Sequence, residues 1–246
     1  MTGMLASVAS LEEAKTVLEH RVDIIDLKNP KLGALGQLDC DTISSVVELV
    51  NNQLPVSATI GDIKPNDSKL YNRIINIADL GVDFVKVGLF SKNIPNYFLD
   101  TINDCCRKNI NIIIVIFAEN FIGMDLLEAL IKSNISGVMI DTKNKSSNNL
   151  CSLMRYKTLG QFIKVAKANN LITGLAGSLK TEDIDSLISL NPDYLGFRGA
   201  LCMKKDRVKT LDEKSIIRIR DIISGKNIVN CENIITKEVA ISGTVA

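Results

Sequence analysis

The 246-residue chain has no tryptophan and a single histidine, His20. One imidazole excludes a His-rich metal site and argues against Ser-His-Asp or Cys-His catalysis. His20 itself falls at the end of the first helical segment, where a surface position is expected. Acid–base chemistry must then come from Lys, Asp, Glu, Tyr or Cys. None of the six cysteines forms a C-x-x-C pair, and their scatter reads as reduced structural thiols rather than a disulfide framework. No Gly-x-Gly-x-x-Gly follows the first strand-like segment, so the dinucleotide-binding signature is missing. Neither sign of charge dominates: 29 basic and 28 acidic residues leave +1. That balance argues against a nucleic-acid or anionic-membrane partner. The N-terminus lacks a basic region, and the strongest apolar run, residues 112–118, is too short to span a bilayer. A soluble, cytoplasmic protein is expected.

What is present is apolar and regular. Hydrophobic residues make up 46% of the chain, enough for a sizeable core. Eight β-branched runs read as strands: residues 4–9, 22–28, 56–60, 84–89, 112–118, 137–142, 172–176 and 194–198. Most are near-continuous apolar runs, as parallel strands buried on both faces require. Amphipathic stretches follow them at 11–20, 41–52, 67–80, 95–109, 124–133, 150–170, 181–190 and 212–224. Ser10 is suited to N-cap the first, and Gly81, Asn109 and Asn170 are typical helix stops. Eight βα units without a long linker predict a single-domain α/β protein, a (β/α)8 TIM barrel over residues 1–224, with a short C-terminal extension at 225–246. An open doubly wound sheet is the competing architecture.

Barrel enzymes of this kind carry their sites at the C-terminal ends of the strands. Alternation on the second strand puts Ile24, Asp26 and Lys28 on one face, so Asp26 and Lys28 point together into the mouth. A carboxylate there can hold a lysine and relay its protons; a structural ion pair is the plainer alternative. Lys86 stands among the apolar residues of the fourth strand. Desolvation favours a neutral amine, which makes Lys86 a candidate nucleophile or base, unless it snorkels to the rim. Asp141 ends the sixth strand, and Lys143 and Lys145 follow on the loop. The third strand ends in Thr59 and Asp62. Gly177-Ser178 and Arg198-Gly199 end the seventh and eighth strands, the two loops that hold phosphate in many barrels. Together these residues suggest a phosphorylated carbonyl substrate. Lysine imine chemistry on it would require no metal and no cofactor.

Asp23-Ile24-Ile25-Asp26-Leu27-Lys28-Asn29-Pro30-Lys31, with Gly33 and Leu35-Gly36, resembles a segment of the (5-formylfuran-3-yl)methyl phosphate synthase family. Matching segments follow in order at 57–62, 81–89, Asp141-Thr142 with Lys145, 175–178, and Arg198-Gly199-Ala200 with Cys202 and Asp206-Arg207. The resemblance implies a TIM barrel that condenses two molecules of glyceraldehyde 3-phosphate to 4-(hydroxymethyl)-2-furancarboxaldehyde phosphate, releasing phosphate and water, in the supply of methanofuran. It implies a Schiff base on Lys28, proton transfer by Lys86, and a polar cluster completed by Asp26, Asp141 and Lys145. Phosphate would be held near Gly177-Ser178 and Arg198-Gly199. Two segments depart from the family. Phe117-Ala118-Glu119 stands where it often has Tyr-Ala-Asp, and Met203-Lys204-Lys205 where it tends to glycines.

The expected activity is therefore that of a lyase acting on phosphates. The alternatives are another Schiff-base aldolase or lyase on sugar phosphates, and a non-catalytic barrel that binds phosphorylated metabolites. A homo-oligomer is expected on base rates alone.

Overall fold

The computed structural model describes residues 1–144 and 149–225. Eight parallel strands close on themselves in sequence order: β1 (Gly3–Val8), β2 (Ile24–Leu27), β3 (Val56–Thr59), β4 (Phe84–Leu89), β5 (Ile112–Phe117), β6 (Gly137–Asp141), β7 (Ile172–Leu175) and β8 (Tyr194–Phe197). The expected barrel is thus present, and the open sheet is excluded by the β1–β8 pairing. The helices between strands are α1 (Leu11–Glu19), α2 (Cys40–Val50), α3 (Leu70–Ala78), α4 (Asn96–Cys106) and α5 (Met124–Ile131). They continue with α6 (Leu150–Leu153), α7 (Tyr156–Ala168), α8 (Ile184–Ile188) and α9 (Glu213–Ile223). The stretch expected as one helix over 150–170 breaks after Leu153, and Arg155 opens α7 from an extended backbone. Of the expected extension only Gly225 lies within the described residues.

Local chemistry explains the ends of these elements. The Ser10, Asp39 and Asp212 side chains accept from the first turns of α1, α2 and α9. Each satisfies one of the N–H groups that a helix start leaves over. Gly81, Asn109 and Asn170 all take positive φ after their helices, as their residue types allow. No described helix is long and apolar enough to cross a membrane.

The period of two on each strand sorts side chains into two cores. Outward residues such as Val8, Ile25, Val87, Ile114 and Ile140 pack with Val17, Val46, Ile74, Phe98 and Phe162 of the helices. Inward residues form a smaller cluster of Leu5, Ile24, Ile113, Val115, Phe117 and Met139. Ala176, just past β7, joins them, and two further residues come from the β2–α2 loop. Ala34 and Leu35, on the β2–α2 loop, fold into the barrel mouth beside Phe90 and Phe117. The aromatic pair stacks at 4.6 Å between centroids.

At the start of β6 the backbone passes close to its neighbour. A Cβ on Gly137 would stand 2.5 Å from the carbonyl oxygen of Ile172 and 2.7 Å from the Ile113 side chain. Gly137→Ala is therefore expected to destabilise the protein by about 1–3 kcal/mol through overpacking. The check is a fall in the urea midpoint at constant m-value; an unchanged midpoint would mean that the β6–β7 spacing yields freely.

Candidate active site

Strand register assembles the floor of the mouth. Ser7 on β1, Asp26 on β2 and Ser57 on β3 are Cα partners across three adjacent strands, and Thr59 pairs with Lys86 of β4. All of these side chains are buried. Asp26 is the centre. It accepts hydrogen bonds of 2.8 Å from both Ser7 Oγ and Ser57 Oγ. Lys86 Nζ lies 3.0 Å from its Oδ1, and Lys28 Nζ 3.7 Å from its Oδ2. Burial pushes the Asp26 carboxyl up, but the charges of Lys86 and Lys28 and the hydrogen bonds of Lys86 and Ser57 outweigh it, holding the group down at about 2.

Above this cluster lies a cavity of about 540 Å³. Lys28, Lys86, Asp26 and Asp141 line it together with Gly177, Ser178, Arg198 and Gly199. Strands β3 and β5 supply none of its lining, because Leu35, Phe90 and Phe117 fill that side of the mouth. Asp141 is buried, and its Oδ1 accepts from the Thr142 N–H at 2.7 Å. Lys145 lies outside the described residues. Gly177 is buried and needs its positive φ of 119°; a Cβ there would stand 2.6 Å from Thr142. Among the described residues no acceptor takes the backbone N–H of Gly177, Gly199 or Ala200. Unpaired N–H groups at a cavity wall are suited to an anion.

Three residues expected to touch substrate are turned elsewhere. Thr59 is fully buried outside the cavity lining and donates to the Gly36 carbonyl at 3.0 Å. The Asp62 carboxylate accepts from the Ala34 and Leu35 N–H groups at 3.0 and 2.7 Å. Both brace the loop that leaves Lys28. Arg198 reaches the cavity wall, yet its guanidinium is fully engaged. It donates to the carbonyls of Ser7, Arg207 and Lys209 and makes a two-point ion pair with Glu13. Its physical role here is to tie β8 to β1, α1 and the loop after β8.

Other residues of the site were not singled out from sequence. Ser7 is one, and its signal was available: a lone hydroxyl facing inward beside Leu5 on an apolar strand. Arg207 is another. It lines the cavity, and its Nη2 donates to the Gly33 carbonyl at 3.1 Å, joining the β8 and β2 loops across the mouth. The two departing segments also have clear roles. Phe117 packs on Phe90, and the Glu119 carboxylate accepts from the Lys143 and Asn144 N–H groups. Lys204 and Lys205 both hold φ near +56°, a conformation that glycine takes freely. Among the described residues no three His, Cys, Asp or Glu side chains converge as a metal site would need.

The Asp26 cluster carries a stability prediction. A depressed carboxyl contributes stability above the unfolded-state value near 3.9, and that stability is lost as pH falls toward about 2. Asp26→Asn should remove this acid-limb dependence. It should also cost about 3–5 kcal/mol at neutral pH, because two buried ammonium groups lose their counter-charge. Urea titrations of both proteins across the acid range check this; parallel curves would contradict it.

The sequence pattern that defines the family described as 4-HFC-P synthase matches residues 4–220. The (5-formylfuran-3-yl)methyl phosphate synthase of Methanosarcina mazei is 34% identical over 81% of this chain and 90% of its own. A Methylorubrum extorquens protein provisionally given that name is 37% identical, over 85% of this chain and 86% of its own. In structure the chain is similar to N-(5'-phosphoribosyl)anthranilate isomerase of Pyrococcus furiosus, with a TM-score of 0.64 at 14% identity over 92% of this chain and all of the other, a likeness of fold alone. With the match running from β1 into α9, the chain belongs to the 4-HFC-P synthase family of enzymes.

Proposed function

We propose that this chain is a carbon–oxygen lyase of the cytoplasm that condenses two molecules of glyceraldehyde 3-phosphate to 4-(hydroxymethyl)-2-furancarboxaldehyde phosphate, with loss of phosphate and water. The observation that carries the reading is the single buried carboxylate of Asp26 shared by two buried lysines at the floor of a substrate-sized cavity. A pair of lysines at that depth has no purpose in mere binding, whereas imine chemistry needs both an amine nucleophile and a proton acceptor.

In the proposed sequence the neutral amine of Lys28 adds to the aldehyde carbon, and water leaves as the imine forms. The imine acidifies the adjacent C–H. Lys86, its own proton first given up to solvent, takes that proton, giving an enamine whose carbon attacks the second aldehyde. Asp26 holds both nitrogens and offsets the iminium charge, and Asp141, with Lys145, serves the proton transfers that lead to phosphate loss, after which water cleaves the imine to free Lys28 and the product aldehyde. The unpaired N–H groups of Gly177, Gly199 and Ala200, beside Ser178, are suited to a phosphate at the ends of β7 and β8. Arg198 supports that cradle from behind through its ties to Glu13 and Ser7. The chemistry needs no cofactor.

Borohydride added to protein and glyceraldehyde 3-phosphate should trap a reduced adduct on Lys28, mapped by mass spectrometry, while the unreduced mixture yields the furan aldehyde phosphate. Lys28→Ala should give neither. Lys86→Met should still form the adduct but lose about 10²–10⁴ in kcat. An adduct without furan would assign a different imine-forming aldolase or lyase. Neither adduct nor furan from folded protein would sink the imine.

A further inference from the structure

The mouth holds more positive charge than the lysine chemistry uses. Seven basic and four acidic residues line it, in a chain of net +1. Asp26 answers Lys28 and Lys86, and Glu13 answers Arg198. Lys180, Lys205, Arg207 and Arg218 remain; the acidic residues left in the lining are Asp141, Glu182 and Asp206, and Asp62 stands near Arg207 from outside it.

Two of these cations stand out. Arg207 is half-buried and makes one side-chain hydrogen bond to the described residues, from Nη2 to Gly33. A guanidinium has five N–H donors, so most of its fork is open to the cavity it lines. Lys205 lies on the rim of the same cavity, and its backbone is held at φ +56° directly after Lys204 at the same angle. Two successive side-chain-bearing residues in the left-handed region are unfavourable. Such strain, kept at a cavity rim, marks a functional position. The turn also brings these residues beside the β8 loop: a Cβ on Gly199 would stand 3.4 Å from the Lys205 carbonyl and 3.9 Å from Arg207 Cβ. Yet the guanidinium tip reaches the other way, to the loop that leaves Lys28.

We propose that Arg207 and Lys205 form a second anion subsite, which takes the phosphate of the second aldehyde while the N–H groups of Gly177, Gly199 and Ala200 hold that of the first. The subsite rests on the reading given under Proposed function, in which two phosphorylated aldehydes meet. Its chemistry is a planar fork and a point charge on a phosphate dianion. The left-handed turn puts Lys205 on the rim of the cavity.

Calorimetric titration of the full chain with inorganic phosphate is expected to give two sites. Arg207→Met should abolish one of them. Lys205→Asn, which tolerates the left-handed backbone, should weaken one about tenfold and leave the other. In turnover, both variants should raise KM for glyceraldehyde 3-phosphate about tenfold while the borohydride-trapped Lys28 adduct persists. The preference for phosphorylated over unphosphorylated glyceraldehyde should fall by the same factor, which a purely structural defect would not produce. One phosphate site in the wild-type chain, or two of undiminished affinity in both variants, overturns the subsite. Should Arg207→Met fail to fold, the exposed Lys205→Asn decides alone. A wild-type chain with neither adduct nor furan would end the imine reading instead, and the phosphate stoichiometry would still judge the subsite.

Discussion

Two ammonium groups cannot share a protein interior without a counter-charge, and the counter-charge cannot be buried without hydrogen bonds. Asp26 meets both demands. Its carboxylate lies between Lys28 and Lys86 and takes hydroxyl bonds from strands on either side. The register of β1, β2 and β3 is therefore part of the site's chemistry: Ser7 and Ser57 reach Asp26 because they are its cross-strand partners. A slip of one residue on any of these strands would turn the hydroxyl or the carboxylate into the helix layer.

Around that centre, polar residues at the strand ends divide into those that face the cavity and those that hold the loops facing it. Asp62, Thr59 and Arg207 fasten the β2–α2 loop from three directions, through N–H groups of Ala34 and Leu35 and carbonyls of Gly36 and Gly33. Glu119 does the same for the start of the loop after β6. Arg198 ties the end of β8 to α1 through Glu13. Carboxylates and guanidinium groups here act on backbone as much as on ligand.

That division marks how far the sequence could be read. Apolar runs located all eight strands within a residue or two, since parallel strands buried on both faces have no other composition. Alternation put Asp26 and Lys28 in the mouth, and an apolar strand singled out Lys86; all three line the cavity. It could not say that Arg198 would find every one of its acceptors within the protein, because Ser7, Glu13, Arg207 and Lys209 come together only on barrel closure. Nor could it say that Asp62 would turn back on a loop 27 residues earlier. Residue type reveals a donor or a carboxylate; its partner depends on folded distance. Ser7 was within reach of the period-two argument, but a single small hydroxyl draws less notice than a charge.

Ala34 and Leu35 occupy the β3–β5 side of the opening; an added methyl on Gly88 would collide with Leu35 and Phe90, and one on Gly36 with Asn29 and Leu32 of the same loop. That half of the mouth is in effect solid protein, pinned to the same loop that positions Lys28. The half bounded by β7 and β8 is built from the loops that follow those strands, which meet the plug's loop through the hydrogen bond from Arg207 to Gly33. Evolutionary change in what such a barrel accepts is thereby channelled to one side. Substitutions around 178–182 and 203–206 can reshape the entrance while the lysine pair keeps its place, whereas drift within 29–36 shifts Lys28 itself.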